Sequence, residues 1–296
     1  MPRIHDGFLD CVIYLYASEW DAEKGEKTGG TGFLVSAPIK IAGQDAQMIY
    51  IVTNRHVVEN GNSTARLKSI NNGIVTLNLD EREWLFHPDG DDLAAYPILP
   101  DHNSNKIKLI KSSNFLNRNI VDEFDIGPGD DTFTLGRFIN HEGRQQNLPT
   151  VRFGNIAQMP WEPVRQNNGF LQDSFLVESR SIGGYSGAPV FVYIPPGSLR
   201  HGVANWVDKI LLGHGPWLLG VDWGHINDWQ PVCDTLGRPI NPIEPNGMQV
   251  RMNTGIMAVV PAWKLSEMFD RFSERAEEIF AMLMRRCGGF PSIIPD

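Results

Sequence analysis

The chain has 296 residues, of which 42% are hydrophobic, so it can bury the core of one large domain or two small ones. Its formal net charge is −9 and it contains no run of Lys and Arg, which excludes the attraction to phosphate backbones that nucleic-acid-binding proteins use. No apolar stretch approaches the length that spans a bilayer, and the amino terminus lacks the pattern of an export signal. We therefore expect a soluble, cytoplasmic protein that binds neither nucleic acid nor membrane, and the sequence does not indicate its oligomeric state.

Short apolar runs with turn residues between them follow one another along most of the chain. Their lengths and their β-branched and aromatic residues predict strands, and the lack of long helical crossovers between them excludes a parallel sheet. The pattern is typical of an all-β barrel or sandwich. The runs are CVIYLYA (11–17), GFLVSA (32–37), MIYIVT (48–53), GIVTLNL (73–79), LAAYPIL (93–99), TFTLGRF (132–138), SFLVES (174–179), PVFVYI (189–194) and LLGVDW (218–223).

Two segments differ from this pattern. The stretch 108–131 has few alternating apolar positions and ends in an acidic turn with Gly and Pro, so it predicts a connection between two β units. From Pro261 onward, apolar residues recur at intervals of three and four, which predicts an amphipathic helix over 261–287 that ends at Gly288-Gly289. The apolar positions of that helix are Leu265, Met268, Phe269, Phe272, Ala276, Ile279, Phe280 and Leu283.

The cysteine and histidine patterns give no support for a metal site. The three cysteines are far apart and form no CxxC pair, so we expect reduced thiols. Histidines are scattered without acids at the spacing of metal ligands. We therefore expect no metal and no cofactor.

One serine lies in a glycine-rich turn, in the stretch SIGGYSGAPV (181–190). Glycines around Ser186 clear the approach to its hydroxyl, so the stretch predicts either a turn or a site. A serine becomes a nucleophile when a base takes its proton and an acid orients that base. The best base is His56, just past the strand end in YIVTNRHVVE, and the best acid is Asp92 in HPDGDDLAAYPI, with Asp89 and Asp91 close by.

Taken together, the segments TGGTGFLVS, TNRHVV, DDLA and GGYSGAPVF resemble the trypsin/chymotrypsin-like serine peptidases, in the disulfide-poor branch common in bacteria. The resemblance implies two antiparallel β-barrels, at 8–115 and 116–260, followed by a long C-terminal helix at 261–287. It also implies a triad in which His56 is the general base, Asp92 its orienting acid and Ser186 the nucleophile. The expected partner is a protein or peptide substrate.

The resemblance also implies an oxyanion hole and a substrate pocket. The backbone N–H groups of Gly184 and Ser186 would form the hole, and Tyr185 stands where activated digestive members have an aspartate. Arg180 would lie at the pocket floor and favour an acidic substrate side chain, unless it turns outward to solvent. The other expected pocket residues are Ser181, Val221, Asp222, Trp223 and Gly224, with His225 and Asn227 as further candidates.

Two other functions compete with peptide hydrolysis. A peptidase-like scaffold could bind a peptide or a partner without cleaving it, because a motif does not by itself prove aligned geometry. An α/β-hydrolase esterase would place its acid and histidine after the serine on a parallel sheet. The earlier position of His56 and the all-β pattern disfavour the esterase.

Overall fold

A computed structural model describes residues 3–101, 105–138, 143–166, 168–179, 185–198, 213–240 and 248–286. Its strands form two antiparallel β units, followed by two terminal helices. The helices are α1 (Asp6–Leu9), α2 (Glu19–Lys24), α3 (Arg55–Glu59), α4 (Arg118–Phe124), α5 (Ala262–Ser273) and α6 (Ala276–Arg286), with 3-10 turns at Glu81–Glu83 and Ser112–Asn114. Within these ranges, the helices are too short or too polar to cross a bilayer.

The first β unit is an eight-stranded sheet in the order β5-β4-β1-β2-β3-β7-β6, with β8 pairing with β2. Every residue of the central strand β1 is buried, because its alternate side chains enter two different cores. For this reason, the apolar residues of β1 form a continuous run in the sequence and do not alternate with polar residues. The strands are β1 (Val12–Tyr16), β2 (Thr28–Ile41), β3 (Gln44–Thr53), β4 (Thr64–Lys68), β5 (Ile74–Asn78), β6 (Leu85–Phe86), β7 (Ala94–Ile98) and β8 (Ile110–Lys111).

The second β unit is a closed barrel in the order β10-β13-β16-β15-β14-β9, with its own apolar core. Its strands are β9 (Asp131–Gly136), β10 (Thr150–Gln158), β13 (Phe175–Glu178), β14 (Pro189–Ile194), β15 (His214–Pro231) and β16 (Gln249–Pro261). A short hairpin of β11 (Val164–Arg165) and β12 (Leu171–Gln172) lies outside the barrel. The predicted fold class, all-β with two antiparallel units and a C-terminal helix, is confirmed.

The terminal amphipathic segment forms two helices, α5 and α6, where the sequence predicts one. The N–H of Arg275 bonds to the carbonyl of Phe272 at 3.0 Å, which tightens the turn between the helices. The apolar faces of both helices pack into a core that also contains side chains of both β units. In this core, Phe269 stacks on Tyr50 of β3, with 4.7 Å between the ring centroids. The chain therefore leaves the second unit along β16 and returns to cover the first.

Candidate active site

His56 lies at the exit of a buried strand. Strand β3 ends at Thr53, and Asn54 begins the short helix α3, on which His56 is the second residue. The next two residues, Val57 and Val58, are buried and pack this helix against apolar residues of the first β unit. The imidazole itself is 38% exposed, so a solute can reach it.

Asp92 accepts two hydrogen bonds from His56, one from its ring and one from its backbone. One carboxylate oxygen accepts the backbone N–H of His56 at 2.9 Å, and the other lies 2.6 Å from His56 Nδ1. An ionised carboxylate can only accept, so this contact requires the proton on Nδ1. In the neutral ring, Nε2 is then left with a lone pair that can take a proton.

The two alternative acids lie elsewhere. Asp91 is buried, and its carboxylate lies 3.1 Å from Nδ1 of His87 and 3.4 Å from Nζ of Lys264. Asp89 is exposed and borders a small outer cavity of about 250 Å³ with His87 and Glu267. Among the three aspartates, the contact with His56 is made by Asp92.

The Ser186 turn meets the first β unit through backbone contacts. The Ser186 carbonyl accepts the N–H of Thr31 at 2.8 Å, and the Thr31 carbonyl accepts the hydroxyl of Thr53 at 2.8 Å. Gly187 has φ +85°, and a Cβ there would lie 2.0 Å from the Thr31 carbonyl oxygen. Only glycine fits this conformation in this space.

A second glycine brings the serine turn close to the histidine helix. A Cβ on Gly30 would lie 2.7 Å from a methyl group of Val57 and 3.2 Å from the carbonyl oxygen of Ser186. The residue after His56 and the backbone of Ser186 therefore contact the same small space. Across the described ranges, however, no hydrogen bond joins the Ser186 hydroxyl to His56.

Several predicted site residues fall outside the described residues. These are Gly184 of the expected oxyanion hole, and Arg180 and Ser181 of the expected pocket. The residues on β15 that are predicted to form the pocket wall are described. Val221 and Asp222 are buried beside the serine turn, where the Asp222 carbonyl accepts the Gly187 N–H at 2.8 Å.

Asp222, Trp223 and Gly224, which are predicted to form the pocket wall, lie in different surroundings. Asp222 is almost fully buried, and this burial raises the pKa of its carboxyl well above the usual value, although the N–H of Gly224 donates to it at 2.9 Å. Trp223 is half-buried, and its indole N–H donates to the hydroxyl of Ser174 at 2.9 Å. Gly224 has open space where a side chain would be.

Tyr185 anchors the turn from the other side. Its ring is 1% exposed, and its hydroxyl is 2.5 Å from that of Thr150 and accepts the Nε–H of Arg152 at 3.0 Å. Gly136 leaves the room for this ring, because a Cβ there would lie 2.6 Å from it. An aromatic residue inside a glycine-rich turn was the only sign of this anchor in the sequence.

Sequence reasoning missed Gln172, a buried residue on β12 that contacts both Asp91 and Asp92.

Cys11 and Cys233 are free thiols, and Cys287 lies outside the described residues. In the part of the chain that the structure describes, no three His, Cys, Asp or Glu residues group together as metal ligands would.

No protein-family model matches the chain, and no curated protein matches it at a significant level. Among solved structures, Deg5 is similar with a TM-score of 0.43 and 15% identity, over 74% of this chain and 81% of that one. The HtrA-type protease AlgW with a decapeptide has a TM-score of 0.42 and 13% identity, over 88% of this chain and 63% of that one. An inactive mutant of Rv3671c from M. tuberculosis has a TM-score of 0.42 and 13% identity, over 90% of this chain and 88% of that one. Similarity at this level carries no argument about activity.

Proposed function

We propose that this protein is a serine endopeptidase that hydrolyses peptide bonds through an acyl-enzyme on Ser186. The observation that carries the proposal is the pair of hydrogen bonds that the Asp92 carboxylate accepts from His56, at 2.6 Å from Nδ1 and at 2.9 Å from the backbone N–H. The bond from Nδ1 fixes the ring orientation and the tautomer that a general base needs, and the backbone bond keeps the carboxylate in place beside the ring. The hydrogen bond from the N–H of Thr31 to the carbonyl of Ser186 holds the serine turn against the β unit that carries His56 and Asp92.

In the proposed reaction, Nε2 of His56 takes the proton of the Ser186 hydroxyl as Oγ bonds to the substrate carbonyl carbon. The carbonyl electrons move to the oxygen, and the N–H groups of Gly184 and Ser186 stabilise the resulting oxyanion. The imidazolium of His56, balanced by Asp92, then protonates the leaving amine as the peptide bond breaks. Water attacks the acyl-enzyme through the same steps in reverse and releases the acid product and the free serine.

We propose an acidic side chain at the substrate position before the cleaved bond, because a guanidinium at Arg180 would form a bidentate pair with a carboxylate. The wall segment Val221, Asp222, Trp223 and Gly224 and the neighbouring Ser181 complete the proposed pocket. A cleavage profile on a peptide library, compared between the wild type and Arg180→Ala, tests the floor residue. If the cleavage profile is unchanged in Arg180→Ala, Arg180 does not select the substrate side chain.

A fluorophosphonate probe tests the nucleophile, because it forms a bond only to an activated serine. We expect the wild type to be labelled and Ser186→Ala to be unlabelled. Ser113→Ala, which alters an exposed serine beside α4, is the matched control and keeps the label. Absence of label on the folded wild type contradicts the proposed activity.

The alternative function is a peptidase-like scaffold that binds peptides without cleaving them. It is favoured by one observation, that no hydrogen bond joins Ser186 to His56 among the described residues. Hydrogen bonds of an active site are often long without substrate and tighten in the complex, so this observation does not exclude catalysis. Peptide binding and turnover measured on the same preparation separate the two functions.

A further inference from the structure

A side chain of the β11–β12 hairpin, which connects β10 and β13 of the second β unit, binds the loop that carries Asp92. Gln172, on β12, is 0% exposed. Its carboxamide oxygen accepts the backbone N–H of Asp92 at 2.9 Å, and its nitrogen donates to the carboxylate of Asp91 at 2.6 Å. One amide therefore binds two successive residues of the loop.

Other contacts fix the same loop at different points. The side chain of Asn54 donates to the carbonyl of Asp92 at 2.9 Å, and the N–H of Leu93 bonds to the carbonyl of Asp91 at 2.7 Å. These residues belong to the first β unit. Gln172 lies in the hairpin between β10 and β13 of the second β unit, and Lys264 lies on α5, which follows that unit. Both side chains therefore couple the loop to segments outside the first β unit.

The electrostatic surroundings require a donor at this position. Burial opposes the charged form of Lys264, but the carboxylates of Asp91, Glu267 and Asp173 outweigh it and hold the pKa of Lys264 above its usual value. Lys264 is thereby held as a cation, and its Nζ lies 3.4 Å from the carboxylate of Asp91. An amide can donate to this carboxylate through its nitrogen while its oxygen accepts a backbone N–H, as Gln172 does here.

We propose that Gln172 is a positioning residue for the triad acid, and that it makes the orientation of Asp92 toward His56 depend on the second β unit. This inference rests on the proposed peptidase function. Without the carboxamide, the Asp92 N–H loses its acceptor and Asp91 loses its closest donor, so the loop relaxes. Asp92 then holds Nδ1 of His56 less firmly, and the chemical step slows while substrate binding is retained.

The test uses Gln172→Ala and Gln172→Glu in the full chain, the second keeping the shape of the side chain but removing its donor. The double variant Gln172→Glu with Asp91→Asn exchanges donor and acceptor and should restore the bridge. Asn147→Ala is the matched control. Its buried amide donates at 2.7 Å to the carbonyl of Arg66 on β4, which β1 and β2 separate in the sheet from β3 and β7, the strands next to His56 and Asp92.

The first readout is the tautomer of His56, measured by NMR on protein labelled with ¹⁵N-histidine, with His56→Ala used for assignment. We expect the proton on Nδ1 in the wild type and in Asn147→Ala, and a larger fraction on Nε2 in both single variants at position 172. The double variant should return toward the wild type. The second readout is kinetic, with kcat about 100-fold lower in the single variants and KM changed by less than about 2-fold.

An unchanged tautomer and kcat in the Gln172 variants would overturn the inference, while fluorophosphonate labelling of the wild type would still uphold the peptidase. A tautomer shift in Asn147→Ala of the same size would also overturn it, because the effect would then be a general loss of structure. If the wild type is not labelled, the peptidase proposal fails, and the tautomer of His56 still decides whether Gln172 positions Asp92.

Discussion

The contact between the serine turn and the first β unit can be tested at Gly187. A methyl group there would lie 2.0 Å from the carbonyl oxygen of Thr31 and 2.3 Å from the hydroxyl of Thr53, whereas ordinary contacts are 3.4–4 Å. The backbone has φ +85°, which costs an alanine about 1–2 kcal/mol wherever it occurs. To remove the overlap, the turn must also move away from Thr31.

That movement breaks the hydrogen bond from the N–H of Thr31 to the carbonyl of Ser186. Such a bond is worth about 1 kcal/mol in net stability. We therefore expect Gly187→Ala to lower the free energy of unfolding by about 2–3 kcal/mol. Gly43, in the turn between β2 and β3, has φ +78° and no atom within 4 Å of its Cβ position. Gly43→Ala should cost only the conformational part, about 1–2 kcal/mol.

Urea unfolding followed by tryptophan fluorescence measures both variants, with the slope against denaturant used to check that the same surface is exposed. Fluorophosphonate labelling of the folded protein adds a second readout, which Gly187→Ala should lose and Gly43→Ala should keep. Equal destabilisation by the two substitutions would refute the reasoning. It would mean that the serine turn adapts to a methyl group without giving up its bond to the first β unit.

Two further predictions concern buried polar groups beside the serine. Asp222 has a raised pKa because it is buried, so its folded form binds a proton that the unfolded form, ionised above about 3.9, has lost. The contribution of Asp222 to stability therefore falls as the pH rises from that value toward the folded pKa. The difference in free energy of unfolding between Asp222→Asn and the wild type, measured by urea unfolding, should therefore shift in favour of the variant from pH 5 to pH 8. The same difference at pH 5 and at pH 8 would contradict this. Tyr185→Phe removes the bonds to Thr150 and Arg152 and should cost about 1–3 kcal/mol by the same assay. Tyr50→Phe, whose hydroxyl bonds to no described residue, should change stability little, and an equal loss in both would argue against the anchoring role of Tyr185.

The strands of the two cores were predictable because their side chains are buried. Strand β1 is buried on both faces and β14 is buried along its whole length, so both read as unbroken apolar runs. Segment β4 (Thr64–Lys68) was not predicted, although it is an interior strand of the first sheet, because Thr64 and Arg66 interrupt its apolar residues. Arg66 is fully buried there and donates to the carbonyls of Gly143 and Arg144. A charged residue satisfied by distant backbone gives no local signal of burial.

The long outer halves of β15 and β16 could not be predicted for a different reason. The sequence indicates a strand at 218–223, but β15 continues to Pro231 and pairs there with Gln249 of β16. These outer residues are mostly exposed, and Trp229, Val250 and Met252 retain about half of their surface. Backbone hydrogen bonds between the two strands hold this ribbon, so no periodic pattern of side chains is needed to form it.

The identity of the acid beside His56 was open in the sequence between neighbouring aspartates, and only packing separates them. Asp91 and Asp92 are both buried, but the chain bends at Asp92, where the N–H of Leu93 bonds to the carbonyl of Asp91 at 2.7 Å, and the two carboxylates enter different surroundings. Asp92 faces His56, while Asp91 faces Lys264 and Gln172. The residues that make this choice lie far along the chain from the loop itself. A single sequence shows no sign that they meet, because a glutamine in a two-residue strand is ordinary anywhere on a protein surface.

The glycine-rich segments TGGTG and YSGA are far apart in the sequence, yet in the fold they face each other. Gly30 is tight against Val57 and the carbonyl of Ser186, and Gly187 is tight against Thr31. Both glycines are therefore required by the approach of two backbones, whatever the chemistry of the serine. It follows that these glycines alone do not distinguish a peptidase from a scaffold with the same fold, since both would need them to dock the two β units. The discrimination has to come from groups that docking does not require, and the carboxylate of Asp92 on the ring of His56 is such a group.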